Sequence, residues 1–162
     1  MEITVKKMET ESEIRGKAFV HWKSWQETYP GIVDQGYLDS LTLAKCEEIA
    51  FRWPDDIVIA KDGERVVGFA GYGKYRDGEL EDTGEVFALY VLKEYWGTGI
   101  GLRLMEEALS QLEEFPHTAV WVLKENGRAI RFYEKCGFRP DGREEMLTLG
   151  APVRLIRMIR HG

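Results

Sequence analysis

The chain has 162 residues, 44% of them hydrophobic and 31% charged, which suits one soluble domain with a substantial core. Its 22 Lys plus Arg against 28 Asp plus Glu give a net charge of −6. That balance argues against a nucleic-acid partner, which needs clustered basic residues, and suits an amine-bearing substrate or simple solubility.

Ile3 to Lys7 alternates apolar and polar residues and reads as an opening strand. Glu11 to Thr28 follows as a helix, with Ile14, Ala18, Trp22 and Trp25 spaced by three and four, and Tyr29-Pro30-Gly31 breaks it. A second helix is expected from Val33 to Phe51, carrying Tyr37, Leu38, Leu41 and Ile49, before Trp53-Pro54. Ile57 to Ala60 and Val66 to Tyr72 read as strands joined at Lys61-Asp62-Gly63. Asp77-Gly78 turns the chain into a strand from Glu85 to Leu92. Gly101 to Leu112 is an amphipathic helix and Thr118 to Leu123 an apolar, β-branched strand. Asn126 to Cys136 is a helix closed by Gly137-Phe138 as a left-handed cap. Strands from Glu144 to Leu149 and from Val153 to Arg160 complete the pattern.

No repeat or linker divides the chain, so residues 1–162 are read as one domain. Short turns pair neighbouring strands antiparallel, whereas strand-helix-strand over Glu85 to Leu123 implies a right-handed parallel crossover. The expected class is α/β (α+β), a mixed sheet of about seven strands flanked by about four helices. Cys46 and Cys136 lack metal or redox spacing, and His21, His117 and His161 are scattered, so no metal site is read. With no membrane-length apolar run and no signal-peptide core, the expectation is a cytoplasmic protein without a membrane partner.

The most informative stretch is Leu89-Tyr90-Val91-Leu92-Lys93-Glu94-Tyr95-Trp96-Gly97-Thr98-Gly99-Ile100-Gly101, which joins a strand directly to a helix. Alternate glycines let the backbone turn sharply and bare N–H groups at a helix N-terminus, where the dipole favours a pyrophosphate. Arg103, off the apolar stripe, is a candidate cation for it. The plain alternative is a tight turn with no ligand. A dinucleotide GxGxxG fails because Leu102 and Leu104 stand where glycine is required, and a nucleoside-triphosphate loop fails for want of Gly-Lys-Ser/Thr.

The stretch resembles the acetyl-CoA motif of the GNAT acetyltransferase superfamily, Gln/Arg-x-x-Gly-x-Gly/Ala after a strand ending in Leu-x-Val. Leu89-Tyr90-Val91 supplies the strand end and Gly99 and Gly101 the two small positions. The family's second motif, Asn-x-x-Ala-x-x-Phe-Tyr-x-x-x-Gly-Phe, is matched by Asn126-Gly127-Arg128-Ala129-Ile130-Arg131-Phe132-Tyr133-Glu134-Lys135-Cys136-Gly137-Phe138. One position departs: Trp96 stands where the family has Gln or Arg.

The resemblance implies a splayed acetyl-CoA cleft and direct acetyl transfer to a primary amine in a ternary complex. It implies that Leu89, Tyr90, Val91, Trp96, Gly97, Thr98, Gly99, Ile100, Gly101, Leu102, Arg103, Asn126 and Tyr133 form the cofactor site. In the family the N–H near Leu89 polarises the thioester carbonyl, and Val91 pairs with the pantetheine arm like an added strand. That strand is usually bulged, which opens the cleft. Tyr133 matches the family's general acid, since a phenol of pKa about 10 can protonate a departing thiolate; otherwise it is a core aromatic. Glu85 is the candidate base, acting through water, or else an exposed carboxylate continuing an acidic turn.

Trp25, Tyr29 and Glu85 are candidate acceptor contacts, although the helical spacing of Trp22 and Trp25 more often means a core face. The acceptor is a small-molecule amine or polyamine, or a peptide N-terminus or lysine. The alternatives are an acyl-CoA-binding regulatory module without turnover, and an interaction protein without coenzyme A. Family members are often homodimers, and the C-terminal strands offer edges for pairing.

Overall fold

The computed structural model describes residues 1–76 and 78–162; the turn expected at Asp77-Gly78 therefore lies partly outside the described residues. Seven strands form one sheet in the order β1-β2-β3-β4-β5-β7-β6. They are β1 (Ile3–Lys7), β2 (Ile57–Asp62), β3 (Arg65–Lys74), β4 (Thr83–Val91), β5 (His117–Leu123), β6 (Arg139–Leu149) and β7 (Ala151–His161). The helices are α1 (Glu11–Thr28), α2 (Gln35–Ser40), α3 (Leu43–Arg52), α4 (Ile100–Gln111) and α5 (Gly127–Lys135), with a 3-10 turn at Lys93–Tyr95. All strand pairs are antiparallel except β4 with β5, the crossover expected from strand, helix and strand.

The single helix expected over Val33 to Phe51 is two. Leu41 is extended (ψ 111), and the Thr42 side chain accepts from Lys45 N, so a fresh helix starts where the apolar spacing alone would continue the old one. The strand expected from Glu144 begins at Arg139 instead. Pro140 and Gly142 read as breakers, but β6 ends the sheet order, where a missing N–H costs no ladder bond. The register shifts between Pro140 and Glu144 to absorb the surplus residues, with Gly142 at φ +89.

The main core lies between the sheet and α4, from Ile100, Leu104, Met105 and Ala108 against Val58, Val67, Ala70, Val86 and Val120. On the opposite face α1 crosses β3 and β4. There Trp22 packs with Ala18, Cys46 and Ala50 between α1 and α3, while Trp25 joins Tyr29, Leu38 and Leu123 in a separate cluster. The end of α5 is a Schellman cap. Phe138 N–H donates to Tyr133 O and Gly137 N–H to Glu134 O, both at 3.0 Å, with Gly137 at φ +95.

Candidate active site

Strand β4 leaves its parallel neighbour early. Pairing with β5 covers only Thr83, Glu85 and the residue between them, opposite His117 to Ala119. On the other edge Tyr72 pairs with Val86 but Gly71 with Ala88, so Phe87 is the extra residue of a bulge. Leu92 N–H donates to Val67 O at 2.9 Å, which turns its polar groups toward β3. By strand alternation the backbone groups of Leu89 and Val91 face the opening beside β5.

At the mouth of this opening, Gly97 (φ +77) and Gly99 (φ +85) carry the chain into α4 through conformations that cost a side-chain-bearing residue about 1–2 kcal/mol. Gly99 is the N-cap and supplies no side-chain acceptor; the first intrahelical bond is Arg103 N to Gly99 O. The N–H groups of Ile100, Gly101 and Leu102 precede that bond and have no carbonyl one turn earlier to pair with. A Cβ built on Gly97 or Gly99 meets nothing within 4 Å, so these two residues border open space. Gly101 is small for another reason, since a Cβ there would stand 3.3 Å from the Phe132 ring, where α5 packs on the turn. This cradle of donors, dipole and space fits a pyrophosphate.

Arg103 does not join the cradle with its side chain: its guanidinium reaches Ile3 O at 3.2 Å. Thr98 Oγ1 donates to Tyr95 O, and Leu102 is half-exposed. Trp96 donates its indole N–H to Val91 O at 2.9 Å, and the Arg128 guanidinium lies 3.5 Å from its ring centroid. Burial, and then neighbouring Arg131, lowers the Arg128 pKa from its ordinary value. A nearby anion would relieve both effects. Asn126 caps α5, accepting from Ala129 N at 3.2 Å.

Tyr133 points from α5 into the interior, packed edge-on to Phe132 and Phe138. Burial, reinforced by Tyr90 and Cys136, raises its pKa well above 10, so the phenol stays protonated across the physiological range. Tyr90 bonds Tyr29, hydroxyl to hydroxyl at 3.0 Å, and Tyr133 adds to the raised pKa of Tyr29. Three phenols from α1, β4 and α5 thus share one electrostatic neighbourhood. Trp25 stands T-shaped on Tyr29 with ring centroids 4.9 Å apart, closing the α1 side.

Glu85 is not the exposed end of an acidic turn: it is fully buried. Its carboxylate accepts from Arg76 Nε at 3.1 and 3.2 Å and from a terminal guanidinium nitrogen. In register Glu85 sits opposite Gly73 and Ala119, while Tyr90 sits opposite Phe69. Ala119 packs with Trp121 and Tyr75, and Phe69 with His21 and Tyr90, all on the face that α1 covers in part. Glu85, Tyr90 and Tyr29 therefore share a sheet face, opposite to the one that α4 covers.

Sequence spacing could not find Arg76, Phe87 or the contact of Arg128 with Trp96, because each depends on distant backbone meeting. The same is true of His117 and His161, whose Nδ1 atoms lie 2.8 Å apart across β5 and β7. Among the described residues no group of three or more His, Cys, Asp or Glu is arranged to hold a metal, and no helix is long and apolar enough to cross a membrane.

Comparison with known proteins agrees with this geometry. YuaI of Bacillus subtilis, an uncharacterized N-acetyltransferase, is 32% identical over 139 residues, covering 82% of this chain and 78% of that one. The peptidyl-lysine N-acetyltransferase YjaB of Salmonella typhimurium is 38% identical over 78 residues, 48% of this chain and 52% of its own. The crystal structure of the PaiA N-acetyltransferase of Thermoplasma acidophilum, solved with coenzyme A, superposes with a TM-score of 0.76 at 22% identity over 100% of both chains. The sequence model of the Acetyltransferase (GNAT) family matches residues 19–138, and the chain belongs to that family of acetyl-CoA-dependent acetyltransferases.

Proposed function

We propose that the protein transfers the acetyl group of acetyl-CoA directly to a primary amine, of a small molecule or of a peptide, with both substrates bound at once. The observation that carries this reading is the opening between β4 and β5, with bare helix donors at its mouth and the buried, protonated Tyr133 phenol in the electrostatic neighbourhood of Tyr90 on β4. Acetyl-CoA, when bound, supplies the acetyl group as an activated thioester. The N–H groups of Ile100, Gly101 and Leu102 hold the pyrophosphate, with Arg128 on Trp96 as the cation that Arg103 does not supply. The Leu89 N–H stabilises charge developing on the carbonyl oxygen. Tyr133 protonates the departing sulfur. Glu85 receives the proton of the acceptor ammonium through water, and Trp25 and Tyr29 wall the acceptor side. YjaB, named for peptidyl-lysine acetylation, supports a peptide amine among the acceptor classes.

Calorimetric titration with acetyl-CoA, repeated on Gly99→Glu, tests the reading. Binding in the micromolar range (about −8 kcal/mol) that the substitution abolishes is expected, followed by thiol release with members of an amine panel. Binding without thiol release across the panel would instead mark an acyl-CoA-binding module. Absence of binding by the wild type would overturn both.

A further inference from the structure

Two arginines stand on the sheet face that holds Glu85, and they are held very differently. Arg157 is locked: its side chain is 7% exposed, and it bonds Asp141 at 2.7 Å and the Tyr75 hydroxyl at 3.1 Å. Tyr75 in turn accepts from the Trp121 indole at 3.2 Å. Arg76 follows the end of β3, and its side chain is 56% exposed while the carboxylate it covers is 0% exposed. Beyond Glu85, its guanidinium lies 5.6 Å from the centroid of the Phe87 ring. Phe87 is the bulged residue of β4, turned outward beside Gly73 and itself 45% exposed.

A fully buried carboxylate, a half-exposed aromatic ring beside it and a largely exposed guanidinium bonded over it make a cation subsite filled from the protein's own chain. We propose that Arg76 keeps the place of a positive charge on the acceptor, and that the acceptor carries, besides the amine that reacts, an ammonium or guanidinium group that displaces Arg76 from Glu85 and lies against Phe87. The inference rests on the amine-acetylation reading for its substrate, but not for its chemistry of binding.

The physical logic is one of exchange. A buried carboxylate without a cation is strongly disfavoured, so Glu85 holds a counterion in the free protein as well as in a complex. An incoming cation substitutes one charge-assisted contact for another, and the released Arg76 side chain, already 56% exposed, passes into water. Apparent affinity for the acceptor is then reduced by the fraction of molecules in which Arg76 occupies the site. A neutral amine or a carboxylate-rich peptide gains nothing from this subsite.

The test reads binding without acetyl transfer. Wild type, Arg76→Ala and the double variant Arg76→Ala/Glu85→Gln are melted across millimolar series of n-butylammonium and methylguanidinium chloride, with sodium chloride as the ionic-strength control. Arg76→Ala is expected to show saturable thermal stabilisation by either cation at roughly tenfold lower concentration than wild type, and the double variant none. Equal responses in wild type and Arg76→Ala, or no response in either, would overturn the proposal. Should Arg76→Ala lose its native circular dichroism, Arg76→Gln, which keeps the length and a donor, answers the same question. Cation binding with a silent transfer assay would sink the acetylation reading and leave the subsite standing. Active transfer with no cation response would do the reverse.

Discussion

Tyr133 is held in two ways that sequence alone keeps apart: its backbone carbonyl closes the α5 cap and its ring fills the core beside Phe138. Tyr133→Phe keeps both and removes only the hydroxyl. A fall in kcat of about 10²-fold or more is expected, with KM for acetyl-CoA unchanged and the melting temperature nearly so. An unchanged kcat would show that the thiolate leaves without this acid. Since burial holds the phenol protonated, its ionisation will not shape the rate profile below pH 10. Trp96 is also held in two ways, by its indole bond to Val91 O and by the Arg128 guanidinium on its ring. A guanidinium 3.5 Å from its ring centroid is worth about 1–2 kcal/mol when partly desolvated. Trp96→Ala and Arg128→Ala should each weaken acetyl-CoA binding by about fivefold to thirtyfold, with the double variant no worse than the worse single. Additive losses in titration calorimetry would mean that the two act separately.

Helix α1 rides on β3 through Gly16, where a Cβ would stand 2.5 Å from Val66 Cγ2 and 2.8 Å from its Cβ. Two effects oppose each other in Gly16→Ala. Helix propensity favours alanine by about 1 kcal/mol, whereas forcing a methyl into a packed contact costs about 1–3 kcal/mol. The obstacle includes the stiff Cβ of a β-branched residue in a strand, so overpacking wins and the melting temperature should drop by several degrees. Adding Val66→Ala should restore part of the loss; a stabilised Gly16→Ala would show that α1 slides freely on the sheet. At this scale the sequence was most readable where a period and a cap agree. For α1 the apolar spacing sets the start at Glu11, where the structure forms a Thr10–Glu13 capping box, and for α5 Asn126 and Gly137 mark both ends. It misled where a local side-chain bond outcompeted the period, as Thr42 does by splitting α2 from α3. It also misled at β6, whose exposed residues carry no alternation and whose pairing is decided by β7. The left-handed glycines before α4 and the placement of Tyr133 on α5 were readable because a short stretch of backbone builds each. The burial of Glu85 and its capture by Arg76 were not, because they depend on β3, β4 and β5 meeting.

Across the whole molecule, buried ionisable groups give the fold an acid sensitivity in two separate windows. His21, on α1 against Trp25 and Phe69, is held at a pKa of about 4 by burial and then by the neighbouring Lys17 ammonium. The unfolded chain takes up this proton near pH 6.5 and the native state does not. Stability therefore falls as pH drops from about 6.5 to 4 and is unaffected by His21 above that range, a loss of about 3 kcal/mol at full titration. Glu13 loses stability in the same direction, toward acid, but from the opposite cause. Burial alone would raise its pKa, but hydrogen bonds from Lys6, the Thr10 and Glu9 N–H groups and Lys61 outweigh it and hold the carboxyl at about 2. Its contribution is complete above pH 4.5 and is lost as pH falls toward 2. Urea unfolding at a series of pH values should show the first decline beginning near pH 6.5 and a second below 4.5. His21→Phe should flatten the first and leave the second, and Glu13→Gln should do the converse while lowering stability at neutral pH. A first decline that survives in His21→Phe would assign it to other groups. A stability curve flat down to pH 4.5 would mean that α1 admits water or a proton to His21 without unfolding, and that it opens from β3 more readily than its packing implies.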